Sequence, residues 1–183
     1  MVIGAGVVLA LAAGVVVLLL SRPTPSSIFR VDGVSNRAVG DQLPKVKGVH
    51  INPPQKGHWA TDPPTSGEHY SLFGTAPAAW GYHDDTPPPE DWVHNLEHGG
   101  IAILYNCPSG CTGDQAAIRH FVEGAPAEDK TNEVKLIATR YAVPGHRFAL
   151  VAWGWRLYLD AWDPKVAARF YEAHADQAPE LVP

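Results

Sequence analysis

The sequence predicts an α+β domain that follows a single N-terminal transmembrane helix. Three features of the 183-residue chain support this prediction. Residues 2–20 are apolar and uncharged, which matches the roughly 20 residues that a helix needs to cross a bilayer. Nine prolines lie between residues 41 and 90, and the patterns typical of strands and helices begin only after Gly99.

The domain boundaries follow from composition. We assign residues 1–20 to the anchor and 21–28 to a Pro/Ser linker, because proline cannot continue the helix. Residues 29–183 form one domain, with a Pro-rich loop region at 41–98 that contains the histidine motifs and regular elements at 99–183. Aromatic side chains in the loop region indicate that it wraps a core rather than remaining disordered.

Regular elements are expected from residue 99 onward. Their order, a strand, a helix, three strands and a helix, is typical of an α+β fold. The predicted elements are a buried strand at 101–105, a helix at 113–123, strands at 134–141, 148–153 and 156–162, and a helix at 164–174.

The location of the domain is predicted from conflicting signals. The only basic residues near the apolar run follow it, which by the positive-inside rule favours a cytoplasmic domain. We nevertheless expect an extracytoplasmic domain of a single-pass cell-membrane protein, with a short basic segment preceding Met1. The cysteine pair and the Pro- and Trp-rich composition suit an oxidising compartment.

The composition argues against one class of partner, nucleic acid, and against one class of metal site, copper bound by methionine. The net charge of -5 offers no basic surface, so nucleic acid is not expected as a partner. Met1 is the only methionine, so a thioether copper site is not expected either. Nine histidines and two cysteines remain as candidate ligands for a soft or borderline metal ion.

Two histidine motifs form the candidate site. PPTSGEHY spans residues 63–70, and WVHNLEHGG spans 92–100. His94 and His98 are four residues apart, so one helical turn places both imidazoles on the same face. His69 could supply a third nitrogen for copper or zinc, and the neighbouring Glu68 and Glu97 could orient the ligands or act on a bound water.

Two other interpretations remain open. In the first, the histidines donate to backbone carbonyls of a loop-rich domain, and the protein is a non-catalytic interaction or assembly subunit of a membrane complex. In the second, HNLEH is the inverted zincin motif of a zinc hydrolase. That motif needs a long helix, whereas the prolines at 87–89 and the glycines at 99–100 leave room for only one or two turns. The other histidines, including His50 and His58, are interpreted as solvated or structural.

Cys107 and Cys111 have three possible roles. We favour a local disulfide, because Pro108 and Gly110 allow the loop to close. A thiolate copper site and a redox-active dithiol are the alternatives. The copper pattern lacks the histidine and methionine expected soon after the second cysteine, and thioredoxin-like sites have two spacer residues rather than three.

The motifs also resemble those of a known family. PPTSGEHY, HNLEHG, the apolar run and the strand IAILYNC closely resemble the domain of unknown function 3105, a family of uncharacterised bacterial membrane-anchored proteins. The resemblance covers most of the chain after the linker. It implies an anchored extracytoplasmic domain in which His69, His94 and His98 are the functional histidines, and it indicates no substrate.

Overall fold

A six-stranded mixed sheet with helices on both faces forms the centre of the domain. The computed structural model describes residues 27–29, 39–108, 110–180 and 182. After a 3₁₀ turn at Ser27–Phe29, the elements in chain order are β1 (Asp41–Gln42), β2 (Val49–Ile51), β3 (Glu68–Tyr70), β4 (Gly81–Tyr82), α1 (Pro89–Glu97), β5 (Ile101–Tyr105), α2 (Thr112–Glu123), β6 (Leu136–Arg140), β7 (Phe148–Ala152), β8 (Trp155–Leu159) and α3 (Pro164–His174).

The strand order of the main sheet is β1-β8-β7-β5-β6-β4. β5 pairs parallel with β6 and antiparallel with β7, so it lies in the interior of the sheet. β2 and β3 form a separate parallel pair. The main sheet therefore forms the scaffold, and the small sheet lies in the Pro-rich half of the chain.

Two apolar clusters cover the two faces of the main sheet. Ile101 and Ile103 of β5 point into a cluster with residues of α2 and α3. Ala102 and Leu104 point to the other face, where they pack with residues of α1. Because side chains alternate along a strand and both faces are covered, the continuous apolar run IAILY is buried at every position.

The α+β class and the regular half of the fold are confirmed. The first predicted strand and the last predicted helix have the observed bounds, Ile101–Tyr105 and Pro164–His174. The Pro-rich half is more regular than a loop wrap, because it contains α1 and four short strands. Proline allows α1 by occupying its first position, where no amide hydrogen bond is lost, and Glu90 and Asp91 suit the positive end of the helix dipole.

The transmembrane part of the fold prediction was wrong. In the part of the chain that the structure describes, no helix is both long and apolar enough to cross a membrane. The predicted anchor at residues 1–20 and most of the linker lie outside the described residues. The location of the domain stays a prediction.

Candidate metal centre

Helix α1 brings polar side chains into the interior. Eight of its nine residues are buried. Trp92, Val93 and Leu96 pack on the main sheet. His94 and Glu97 are three residues apart on the helix, so their side chains lie on the same face, and both are buried.

The small sheet brings two more histidines to the same place. β2 and β3 pair in parallel with His50 directly beside His69. Neighbouring residues in a sheet point to the same face, and the two rings lie 4.9 Å apart between centroids. The His94 ring lies 4.8 Å from that of His69 and 5.3 Å from that of His50.

Four side chains consequently converge into one group. One donor atom from each of His50, His69, His94 and Glu97 lies within 4.8 Å of all the others. An oxygen of Glu97, Oε2, is 2.9 Å from His69 Nε2 and 3.8 Å from His50 Nε2. Three imidazoles and one carboxylate could hold a divalent transition-metal ion.

Backbone carbonyls fix the proton on two of the imidazoles. His69 Nδ1 lies 2.8 Å from the Gly67 carbonyl oxygen, and His94 Nδ1 lies 2.7 Å from that of Tyr70. A carbonyl only accepts, so each Nδ1 carries the hydrogen, and in the neutral ring Nε2 has a free lone pair. His69 Nε2 is buried and makes no hydrogen bond among the described residues, even though Glu97 lies close to it. This is the arrangement of metal-binding histidines, whose second nitrogen donates to a carbonyl or a carboxylate.

Burial keeps these imidazoles neutral. It lowers the pKa of His94 to about 4, with a further contribution from the neighbouring His98 and His69. Burial likewise lowers the pKa of His69, while it raises the pKa of Glu97 together with the nearby charge of Glu180. Neutral imidazole is the form that binds metal, so His69 and His94 need not lose a proton near neutral pH.

The structure places two of the predicted site residues outside this group. His98 caps the C-terminus of α1. Its ring contacts that of His94 with centroids 4.5 Å apart, and its Nε2 is 3.6 Å from a Glu180 oxygen. Glu68 precedes His69 on β3, so its side chain points to the opposite face, where it accepts a hydrogen bond of 2.8 Å from the His58 amide.

His50 is the member of the group that sequence reasoning missed. From the sequence, His50 is interpreted as solvated or structural, like the other histidines outside the two motifs. A signal for it does exist: VHI at 49–51 and EHY at 68–70 are short strand-like triplets, each with a histidine in the middle. Their pairing depends on the fold of the intervening residues, which the triplets themselves do not indicate.

Comparison with known proteins identifies the family. A family model described as "Protein of unknown function (DUF3105)" matches residues 50–182. The chain belongs to the DUF3105 family. No curated protein and no solved structure matches it. The region of this DUF3105 protein that matches the family model includes all four donors of the group.

A glycine makes room for the carboxylate of the group. A Cβ atom on Gly48 would lie 1.6 Å from Glu97 Oε1 and 3.2 Å from His69 Cε1. Any larger residue at this position would therefore displace the Glu97 side chain. The backbone at Gly48 forms one wall of the site.

A buried lysine holds the C-terminal end of α1. The Lys135 side chain is fully buried, and its Nζ donates to the carbonyl oxygens of His98 (2.8 Å) and Val182 (2.9 Å). Its charge is paired with Asp176, whose Oδ1 is 2.9 Å from Nζ. These contacts fix the end of the helix that carries Glu97, because an unpaired buried charge would be costly.

The two cysteines lie elsewhere. Cys107 and Cys111 form the predicted local disulfide, with their Cα atoms 5.8 Å apart. Both pack against the apolar cluster on the α2 and α3 face of the sheet, whereas α1 lies on the other face. Sulfur is consequently absent from the four-donor group.

Proposed function

We propose that this DUF3105 protein binds one divalent transition-metal ion, zinc or copper, through His50, His69, His94 and Glu97. The observation that carries the proposal is the convergence of four donor atoms within 4.8 Å. His69 Nε2 is buried with its lone pair toward the Glu97 carboxylate, 2.9 Å away, and an ion bound by both groups would satisfy the two of them.

The donor set favours these metals over others. Calcium and magnesium take oxygen ligands, and this group offers three nitrogens and one oxygen. Cuprous copper prefers sulfur, which the group lacks. Imidazole and carboxylate donors suit Zn²⁺ and Cu²⁺, for which the Irving–Williams order predicts the tighter binding of Cu²⁺.

The histidines could instead be purely structural, as in an assembly subunit without metal. The carbonyl contacts of His69 and His94 fit that alternative, because they tie α1 and β3 together. It accounts for Nδ1 of each ring and leaves Glu97 Oε2, 2.9 Å away, as the polar neighbour of His69 Nε2. In that alternative the Glu97 carboxylate is buried only as a partner of His69. A bound ion would also account for His50 and His94 facing the same point.

The test compares metal binding by matched histidine variants of the full chain, purified without a histidine tag. Zinc content and calorimetric affinity are measured for the wild type and for the double variant His69→Ala with His94→Ala. The control is His58→Ala with His146→Ala, since these histidines are paired with Glu68 and Asp160 outside the group.

We expect one zinc ion per chain in the wild type and in the control. The double variant should bind zinc more than about 100-fold more weakly, because even residues behind metal ligands contribute about 10- to 100-fold to affinity. Circular dichroism checks that the variants fold, and Glu97→Gln provides a variant of nearly unchanged shape. The structural alternative holds instead if the wild type binds no stoichiometric metal, or if both double variants bind equally.

A further inference from the structure

The four donors differ strongly in exposure. His69, His94 and Glu97 are buried on β3 and α1. The His50 side chain, on β2, is 55% exposed. One donor therefore lies on the solvent side of the group, while the other three are enclosed by the fold.

His50 ends an exposed segment, residues 43–50, that we call the strap. Pro44 to Lys47 are all exposed. β2 pairs only with β3 in the described part of the chain, so its outer edge has no strand beside it. Outside this pairing, three hydrogen bonds tie the strap's amides to neighbouring loops within the described residues: Leu43 N to Gly154 O (2.9 Å), Val46 N to Ser66 Oγ (2.9 Å) and Val49 N to Gly67 O (3.3 Å).

Metal binding requires the most widely separated donors of the group to approach one another. The donor atoms now lie up to 4.8 Å apart. Two ligands of a tetrahedral ion, each about 2.0 Å from the metal, lie roughly 3.3 Å from one another. His69 and His94 are held by their carbonyl contacts and by the surrounding core, so the strap is the part that can move inward.

The strap is also in direct contact with the carboxylate. Gly48 packs so closely on Glu97 and His69 that the space of a single Cβ is occupied. A shift of Glu97 toward an ion and a shift of the strap are therefore linked. Opening the strap would expose the buried donors on the side where His50 lies.

We propose that the strap is the gate of the metal site, with His50 as the exchangeable ligand. An ion first meets the buried donors, and His50 binds last and leaves first, so that metal binding closes residues 43–50. This inference rests on the proposed metal binding. It also assigns His50 a different role from the three buried ligands.

Limited proteolysis of the full chain tests the gate, with Zn²⁺ alone as the probe. Lys47 is an exposed trypsin site within the strap. Lys130, whose side chain is 55% exposed in the loop between α2 and β6, provides an internal control for trypsin activity. Mass spectrometry follows the cleavage rate at both lysines, and calorimetry measures zinc affinity of the same samples. The variants are His50→Ala and, as a matched control, His58→Ala.

Zinc should slow cleavage after Lys47 by about tenfold in the wild type and in His58→Ala, because proteolysis follows the population of the open strap. Cleavage after Lys130 should not change. His50→Ala should bind zinc more weakly, and saturating zinc should leave its cleavage after Lys47 unchanged. If His50→Ala does not fold, His50→Gln replaces it with the same expectation.

The outcomes separate the gate from the metal site. Zinc binding by the wild type without slower cleavage after Lys47 overturns the gate alone. Equal slowing in His50→Ala also overturns it, because the buried donors would then close the strap unaided. Failure of the wild type to bind zinc overturns the proposed function, and the gate with it.

Discussion

The two faces of the main sheet are covered by helices of different character. On one face, α2 buries three residues, Ile118, Phe121 and Val122, all of them apolar. On the other face, α1 buries eight residues, five of which are polar: Glu90, Asp91, His94, Asn95 and Glu97. The sheet between them contributes apolar side chains to a cluster on each face.

The two helices therefore contribute differently to stability, because α2 buries apolar side chains and α1 buries polar ones. Burial of apolar side chains stabilises a domain, whereas burial of polar groups costs free energy unless they are paired. Asn95 is paired, because its side chain accepts from and donates to the backbone of Ala78 at 3.0 and 2.9 Å. His69 Nε2 and Asp91 Oδ1 have no hydrogen-bond partner among the described residues. The polar side chains that α1 buries therefore cost stability unless they are paired, which is what a metal site on this face would require.

The largest expected effect is on the apolar face. Phe121→Ala should lower the free energy of unfolding by about 3–5 kcal/mol, because it leaves a cavity beneath α2. Denaturation with urea measures the loss. Zinc affinity of the folded variant should stay within a factor of two of the wild type. A tenfold weaker affinity would show that the two faces are coupled, and it would contradict the independence of stability and zinc binding.

The second largest expected effect is the pH dependence of the free energy of unfolding, to which His94 on the polar face contributes. The pKa of His94 is about 4 in the folded protein, against an ordinary value of 6.5. The unfolded chain therefore binds more protons between these pH values, and stability is lost as the pH falls from 6.5 to 4. At about 1.4 kcal/mol per pKa unit, the loss due to His94 is about 3 kcal/mol.

The variant His94→Gln isolates this contribution. Burial raises the pKa of Asp91 to about 6, which opposes the trend by removing stability as the pH rises, but Asp91 is present in both proteins. Metal-free wild type and variant are unfolded with urea between pH 7 and 4. The stability difference between them should shrink by about 3 kcal/mol on acidification. A constant difference would mean that His94 is not buried in its neutral form.

The smallest expected effect is the loss of zinc affinity when a glycine beside the metal site is replaced by alanine, compared with the same replacement in α2. Gly48→Ala should weaken zinc binding by about tenfold, or about 1.4 kcal/mol, because the methyl group displaces Glu97. Gly113 in α2 has no atom within 4 Å of an added Cβ, so Gly113→Ala should leave zinc affinity unchanged and stabilise the helix slightly. Calorimetry measures the zinc affinity of both variants and of the wild type. Equal affinities would show that the Glu97 carboxylate does not contribute to binding.

The regular half of the fold could be predicted because its signals are local. The run IAILY is bounded by glycines and by a turn, and Asp163 caps α3 by accepting from the amides of Lys165 and Val166. The Pro-rich half depends on contacts between distant residues. The pairing of β2 with β3 joins residues about 19 positions apart and has no turn signal that would reveal it.

The candidate site, too, could be predicted from the sequence only where its signals are local. His69 and His94 could be predicted from their motifs. The i, i+4 spacing does place the His98 ring against that of His94, with centroids 4.5 Å apart, but the donor atom that converges with His94 belongs to Glu97. His50 joins the group only through the register of the small sheet. Spacing within a helix thus predicts which side chains are neighbours, but not which donor atoms converge.

The buried Lys135 has a consequence for the order in which the chain can fold. Its ammonium group needs Asp176 and the Val182 carbonyl, which lies 47 residues further along the sequence. During synthesis from the N-terminus, β5 and α1 leave the ribosome long before these partners exist. Until then the lysine must keep contact with water, so the C-terminal end of α1 cannot be enclosed around its charge. Asp176 and Val182 therefore complete the burial of a lysine that is synthesised long before them.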